Sequence, residues 1–106
     1  MPIISMNDEN FAQTLTDNPV TVVKYYADWC GSCRLIAPKF KRWAESSPQG
    51  VAFAETNAES NPEARKAAGV DNLPFFAVFK DGKLVSGAAT SKIEAVQEML
   101  NAVVGS

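Results

Sequence analysis

The sequence predicts an α/β sandwich built on a mixed sheet, and three observations carry that prediction. Short apolar runs alternate with helical patterns along almost the whole chain. One of those runs, Val20 to Ala27, is Val, Thr and Tyr nearly throughout, interrupted by a single lysine, and it is apolar on both faces. That is the pattern of a central parallel strand covered on each side. The last two runs flank Asp81-Gly82, a strong hairpin turn, so part of the sheet is antiparallel.

The elements follow in order. Met1 to Ile4 suits a short edge strand, with Pro2 tolerated near its start. Residues 7–17 form a helix capped by Asn7 or Asp8, with Phe11 and Leu15 one turn apart on its buried face. Asp17-Asn18-Pro19 ends it, and Val20 to Ala27 is the first inner strand. After Trp29-Cys30-Gly31 comes a helix of about fifteen residues carrying Leu35, Ile36, Phe40, Trp43 and Ala44. Pro38 lies inside it, removes one backbone hydrogen bond and predicts a kink near Arg34. Val51 to Asn57 reads as a second inner strand. Asn61-Pro62 then supplies a cap and a first-turn proline for a short helix that ends at Gly69. Phe75 to Phe79 is the third apolar run, and the hairpin turn leads into a short strand at Lys83 to Val85. The last helix opens on the capping box Ser91-Lys92-Ile93-Glu94, with Ile93, Val96, Leu100 and Val103 along one face. The order is β-α-β-α-β-α-β-β-α.

Bulk properties narrow the function. At 106 residues the chain is expected to be one domain, residues 1–106, with a single core. The net charge is −2 and the ten Lys and Arg residues are scattered, which argues against a nucleic-acid face. No apolar run approaches the roughly 20 residues that span a bilayer. The opening MPIISMNDENF lacks the basic start, apolar stretch and cleavage site of a secretory signal, so a cytoplasmic protein is expected. In that compartment two lone cysteines do not persist as a permanent disulfide.

Those cysteines, Cys30 and Cys33, admit three readings. Structural zinc wants four ligands, and the chain offers two cysteines and no histidine; a metal or a bridging iron–sulfur cluster would need a second copy. A structural staple across so small a loop would remove little unfolded-chain entropy. A redox pair has a mechanism. Cys30 follows a strand and opens a helix, where unpaired N–H groups and the positive helix end favour its thiolate. Cys33, three residues on, lies on the same helical face and is placed to attack a mixed disulfide formed at Cys30. Cys30 is expected to be exposed and Cys33 more buried.

The wider constellation resembles the thioredoxin family. The matching residues are Ala27-Asp28-Trp29-Cys30-Gly31-Ser32-Cys33, Pro38 in the following helix, and Leu73-Pro74-Phe75 before the third inner strand. The resemblance covers essentially the whole chain and implies a thioredoxin fold, a mixed central sheet with helices on both faces. It also implies dithiol–disulfide exchange with protein substrates, no bound cofactor or metal, and reduction by an NADPH-dependent flavoprotein of the thioredoxin-reductase kind. A cis peptide before Pro74, backbone pairing of Leu73 with an extended substrate segment, and Trp29 as one lip of that groove are implied as well. Gly31 and Ser32 complete the active-site turn, and a monomer is expected.

Four departures from the family pattern carry their own expectations. Ser32 stands where proline is commonest; its N–H and hydroxyl are candidate donors to the Cys30 thiolate, which would make the pair more oxidising. Lys24 stands where the family has a buried aspartate, and alignment on Asn61-Pro62 places Glu55 where the family has a lysine. The pair reads as charge-swapped: a buried or half-buried ion pair, with Glu55 handling the Cys33 proton. Tyr25-Tyr26 replaces the more usual Phe-Trp and is expected to be packing. The stretch from Gly82 to Ser91 is two or three residues short, which predicts a clipped last strand and leaves Gly87, or a displaced position, to line the groove. Three functions remain: a general disulfide reductase, an oxidase or isomerase of the same fold, and a binding module whose cysteines are incidental. The intact Trp-Cys-Gly-x-Cys and Pro74 count against the binding module, and the oxidase or isomerase, favoured by Ser32, is disfavoured by the missing export signal, which leaves the reductase leading.

Overall fold

The computed structural model describes residues 3–46 and 50–104. Among them the elements run β1 (Ile4–Ser5), α1 (Phe11–Asp17), β2 (Val20–Tyr26), α2 (Gly31–Ser46), β3 (Val51–Asn57), α3 (Pro62–Ala68), β4 (Phe75–Lys80), β5 (Lys83–Ala89) and α4 (Ile93–Val104). The sheet order is β1-β3-β2-β4-β5. β1, β3 and β2 are parallel; β4 is antiparallel to β2, and β5 to β4. The thioredoxin fold expected from the sequence is therefore the fold observed.

Alternation along β2 divides the interior in two. Val20 and Val22 join Phe53, Phe76 and Val78 beneath α2 and α4, which contribute Ile36, Phe40, Val96 and Leu100. Val23 and Tyr25 point the other way, toward Leu15 of α1 and Ala64 and Ala68 of α3. This is why β2 carries apolar side chains at nearly every position: both of its faces are covered. On the α2 side, Phe40 meets Phe53 and Phe76 with ring centroids 5.6 and 5.5 Å apart.

Tyr25 is a packing residue with one polar duty. Its ring meets Phe75 edge-on, and its hydroxyl donates to the Ala64 carbonyl of α3 at 2.9 Å. Burial pushes its ionisation well above the usual tyrosine value of 10.0. The neutral form is thus favoured by folding, and the unfolded chain releases this proton first. The stability contribution is complete below about pH 10 and is lost as pH rises beyond it, by about 1.4 kcal/mol per pH unit. In denaturation curves between pH 9 and 12 (an experimental window, about two units above neutral at its start), Tyr25→Phe is expected to flatten this alkaline decline. An unchanged slope would assign the decline to other groups.

Several boundaries differ from the sequence reading. The edge strand lies at Ile4–Ser5; its expected first residues, Met1 and Pro2, lie outside the described residues. α1 starts at Phe11 rather than 7, because Asn7 to Asn10 form a turn in which the Asn7 Oδ1 accepts the N–H groups of Glu9 and Asn10, each at 2.9 Å. Asp8 caps a different helix: its carboxylate accepts the Ala64 N–H of α3 at 2.8 Å, while Asn61 Oδ1 accepts the Asp8 N–H at 3.0 Å. α2 continues through Pro38 as one 16-residue element. β5 is not clipped. It extends to Ala89, since backbone pairing with β4 holds Ser86-Gly87-Ala88-Ala89 although these small residues carry little strand propensity. The connection to α4 follows at once: the helix starts at Ile93, and Thr90 Oγ1 accepts the Lys92 N–H at 3.1 Å.

Candidate active site

β2 ends at Tyr26, Ala27-Asp28-Trp29 turn the chain, and Cys30 stands immediately ahead of α2. The Cys30 N–H donates to the Ala27 carbonyl at 3.2 Å, and the Arg34 N–H donates to the Cys30 carbonyl at 3.3 Å as the helix begins. Cys30 and Cys33 are joined in a disulfide. The Cys33 N–H donates to the Cys30 sulfur at 3.2 Å. A main-chain donor and a helix start thus face the sulfur that must carry negative charge on reduction. The donor is Cys33 rather than Ser32, whose side chain is exposed and lines the groove beside Pro74. The expected pairing of the Ser32 hydroxyl and N–H is with the Cys30 thiolate, which belongs to the reduced form rather than to this disulfide.

Both cysteines are buried, Cys30 at 5% and Cys33 at 3% exposure. The expected exposure of Cys30 is not found: Tyr26 and Leu73 pack against the disulfide, together with Ala27. Access is therefore along an edge. The Leu73–Pro74 peptide is cis, and Pro74 is buried. Beside it runs a groove lined by Ser32, Asn72, Leu73, Pro74, Thr90 and Ser91. The Leu73 N–H is engaged by Asn72 Oδ1 at 3.0 Å, and the Pro74 carbonyl by the Thr90 N–H at 3.2 Å. A substrate strand pairing with the Leu73 N–H would displace the exposed Asn72 side chain. Gly87 lies outside this groove. It pairs with Ala77, and a Cβ there would stand 3.0 Å from the Phe75 ring, so its glycine serves packing.

Trp29 stands 66% exposed, and its indole N–H donates to Glu59 Oε1 at 2.7 Å. Glu59 escaped the sequence reading; its one signal is its place just past β3, in the turn leading to Asn61-Pro62. A Cβ on Gly31 would meet nothing within 4 Å, so the fold itself does not demand glycine there. The neighbouring Arg34 guanidinium donates to the Asp28 carbonyl at 2.6 Å.

Behind Cys33 lies a cavity of about 310 Å³ lined by Lys24, Tyr26, Asp28, Cys33, Arg34 and Glu55, among others. Lys24 and Glu55 are directly paired positions of β2 and β3. Lys24 Nζ lies 3.5 Å from Glu55 Oε1, with the lysine side chain 6% exposed and the glutamate 34%. The ammonium also sits 5.4 and 5.5 Å from the ring centroids of Phe40 and Tyr26. Burial, then the charges of Glu55 and Asp28, hold the Tyr26 hydroxyl above the usual tyrosine range. Among the described residues no three His, Cys, Asp or Glu side chains cluster as metal ligands, and no helix is long and apolar enough to cross a membrane.

A C-x-x-C disulfide at a helix start, beside the Pro74 groove on this sheet, defines a thiol–disulfide oxidoreductase. The Thioredoxin family profile matches residues 2–103. A thioredoxin of Alicyclobacillus acidocaldarius is 33% identical over 82 residues, covering 77% of this chain and 78% of its own. A Streptomyces coelicolor relative is 32% identical over 78 residues, or 74% of this chain, and the match spans 58% of that relative's length. Thioredoxin f2, solved in complex with ferredoxin:thioredoxin reductase, superposes with a TM-score of 0.84 at 26% identity, covering 95% and 94% of the two chains. The chain belongs to the thioredoxin family.

Proposed function

We propose that this protein is a general reductant of protein disulfides, acting as a cytoplasmic monomer in electron transport and redox homeostasis. The observation that carries the reading is the Cys30–Cys33 disulfide at the start of α2, with the Cys33 N–H on the Cys30 sulfur and the Pro74 groove alongside. In the reduced protein the Cys30 thiolate attacks one sulfur of a substrate disulfide, and the other substrate sulfur leaves as a thiolate and is protonated. Cys33 then loses its proton and attacks the Cys30 sulfur, which closes the internal disulfide and releases the second substrate thiol. Two electrons pass from the dithiol to the substrate. Glu55, at the cavity behind Cys33, takes the Cys33 proton toward solvent. Leu73 and Trp29 flank the segment that carries the substrate disulfide.

The dithiol needs no bound cofactor of its own, and its electrons come from a flavoprotein reductase that draws on NADPH. The solved complex of a related thioredoxin with a ferredoxin:thioredoxin reductase supports a reductase partner, and the flavin and NADPH belong to the proposal. The test is reduction of a protein disulfide in the presence of NADPH and a flavoprotein thioredoxin reductase, together with the equilibrium potential of the pair against a glutathione series. Turnover with a strongly reducing potential is expected. A potential on the oxidising side with preferential oxidation of dithiols would point to an oxidase or isomerase. The absence of any reversible two-electron couple would leave a binding module.

A further inference from the structure

Leu35, one of the apolar residues of α2, is the most exposed large apolar side chain of the described residues, at 78%. It stands two residues beyond Cys33 and lines a cleft together with Ser32, Lys39 and Ser91. Ser32 and Ser91 also line the Pro74 groove, so the two clefts meet at the active site. At its far end the Leu35 cleft shares Lys39 with a third cleft between α2 and α4, which Arg42 also lines. The three form one continuous track that leads from the disulfide along α2.

The charged residues that line the clefts, Lys39 and Arg42, are cationic, while the exposed Asp71 and Glu94 adjoin lining residues without lining any of the three. Lys92 follows Ser91 at the edge of the track, and all three cations are exposed. No Asp or Glu lines either cleft beyond the Pro74 groove, and none of these three cationic side chains has an ion-pair or hydrogen-bond partner among the described residues. The glutamate of α4 that lines a cleft, Glu98, faces the β5 side instead. This basic strip belongs to a chain whose net charge is −2. An apolar side chain left in water, followed by unpaired cations and continuous with the catalytic groove, matches an extended ligand with an apolar residue and then carboxylates.

We propose that the α2–α4 track docks the chain segment flanking the substrate cysteine, and that it selects segments with an apolar residue close to the cysteine and acidic residues further out. This rests on the reductase reading. Helix rise gives the register: Leu35, Lys39 and Arg42 follow Cys30 by five, nine and twelve residues, or about 7, 14 and 18 Å. An extended segment covers those distances in about two, four and five to six residues.

The test uses peptides that carry their cysteine as a disulfide with thionitrobenzoate, whose release reports attack by the reduced protein. The peptides share a leucine two residues from the cysteine and differ only at positions four and six, which are Asp, Ser or Lys; one set extends on the N-terminal side and one on the C-terminal side. Each kcat/KM is taken relative to the Ser peptide of its set, so a general change in activity cancels. In at least one set the Asp peptide is expected to exceed the Lys peptide by about tenfold at low salt, with the ratio shrinking toward one as salt rises. The double variant Lys39→Glu/Arg42→Glu is expected to reverse that order. Equal ratios in both sets, or an acidic preference that survives the charge reversal, would overturn the docking track. Failure to reduce any of the peptides would overturn the reductase reading instead.

Discussion

Cys30→Ser is expected to lower disulfide turnover by roughly a thousandfold or more, whereas Cys33→Ser is expected to complete the first chemical step and stop. The asymmetry follows from where each sulfur sits. Cys30 precedes the first residue of α2 and receives the Cys33 N–H at 3.2 Å. That donor belongs to the main chain, so replacing the Cys33 side chain leaves it in place and leaves the Cys30 thiolate favoured. Cys33→Ser removes only the group that resolves the adduct. With a disulfide substrate in excess, the Cys33→Ser protein is expected to accumulate a one-to-one mixed disulfide at Cys30, visible as a mass increase that reductant reverses. Cys30→Ser forms none, because it removes the sulfur that stands at the helix start and receives the Cys33 N–H. A stable adduct on Cys33 in the Cys30→Ser protein would reverse the assigned roles.

Much of this site was legible in the chain because its signals are local. A C-x-x-C after an apolar strand and before a helix fixes which sulfur meets the helix start, and Lys24 within β2 stood out because a lone charge in a two-face strand needs a partner. Glu55 was found by its offset from Asn61-Pro62, and the strand register pairs the two residues directly. What escaped was decided by tertiary contact. The burial of Cys30 depends on Leu73, some forty residues away in sequence, which folds over the disulfide. The length of β5 came from pairing with β4, against weak local propensity. Gly87 lies off the Pro74 groove because the β4–β5 register, which counting along the chain does not reveal, sets it opposite Ala77 and over the Phe75 ring. Leu35 falls outside the three- and four-residue spacing that joins Cys33, Ile36, Phe40 and Ala44, and it stands in water beside the active site.

Removing Glu55 is expected to destabilise the protein far more than removing the charge of Lys24. The two members of the pair are unequally buried: the lysine side chain is 6% exposed and the glutamate 34%. Glu55→Ala strands an ammonium inside the protein, beside the rings of Phe40 and Tyr26 and without its ion-pair partner, a situation that costs about 2–4 kcal/mol. Lys24→Met keeps the unbranched stem against Phe40 and removes the charge. The glutamate it leaves behind already reaches water, so this change is expected to fall within about 1 kcal/mol of the parent. Adding Lys24→Met to Glu55→Ala should then recover most of the loss, because the stranded charge is gone. Denaturant unfolding of the four oxidised proteins gives the cycle directly. Strictly additive changes would show that the 3.5 Å contact carries no energy. The same variants separate stability from chemistry. If Glu55 takes the Cys33 proton, Glu55→Gln prolongs the Cys30 mixed disulfide at neutral pH and its lifetime shortens as pH rises, since hydroxide replaces the lost acceptor. A lifetime equal to the parent's at every pH would confine the pair to holding β2 and β3 together behind the active site.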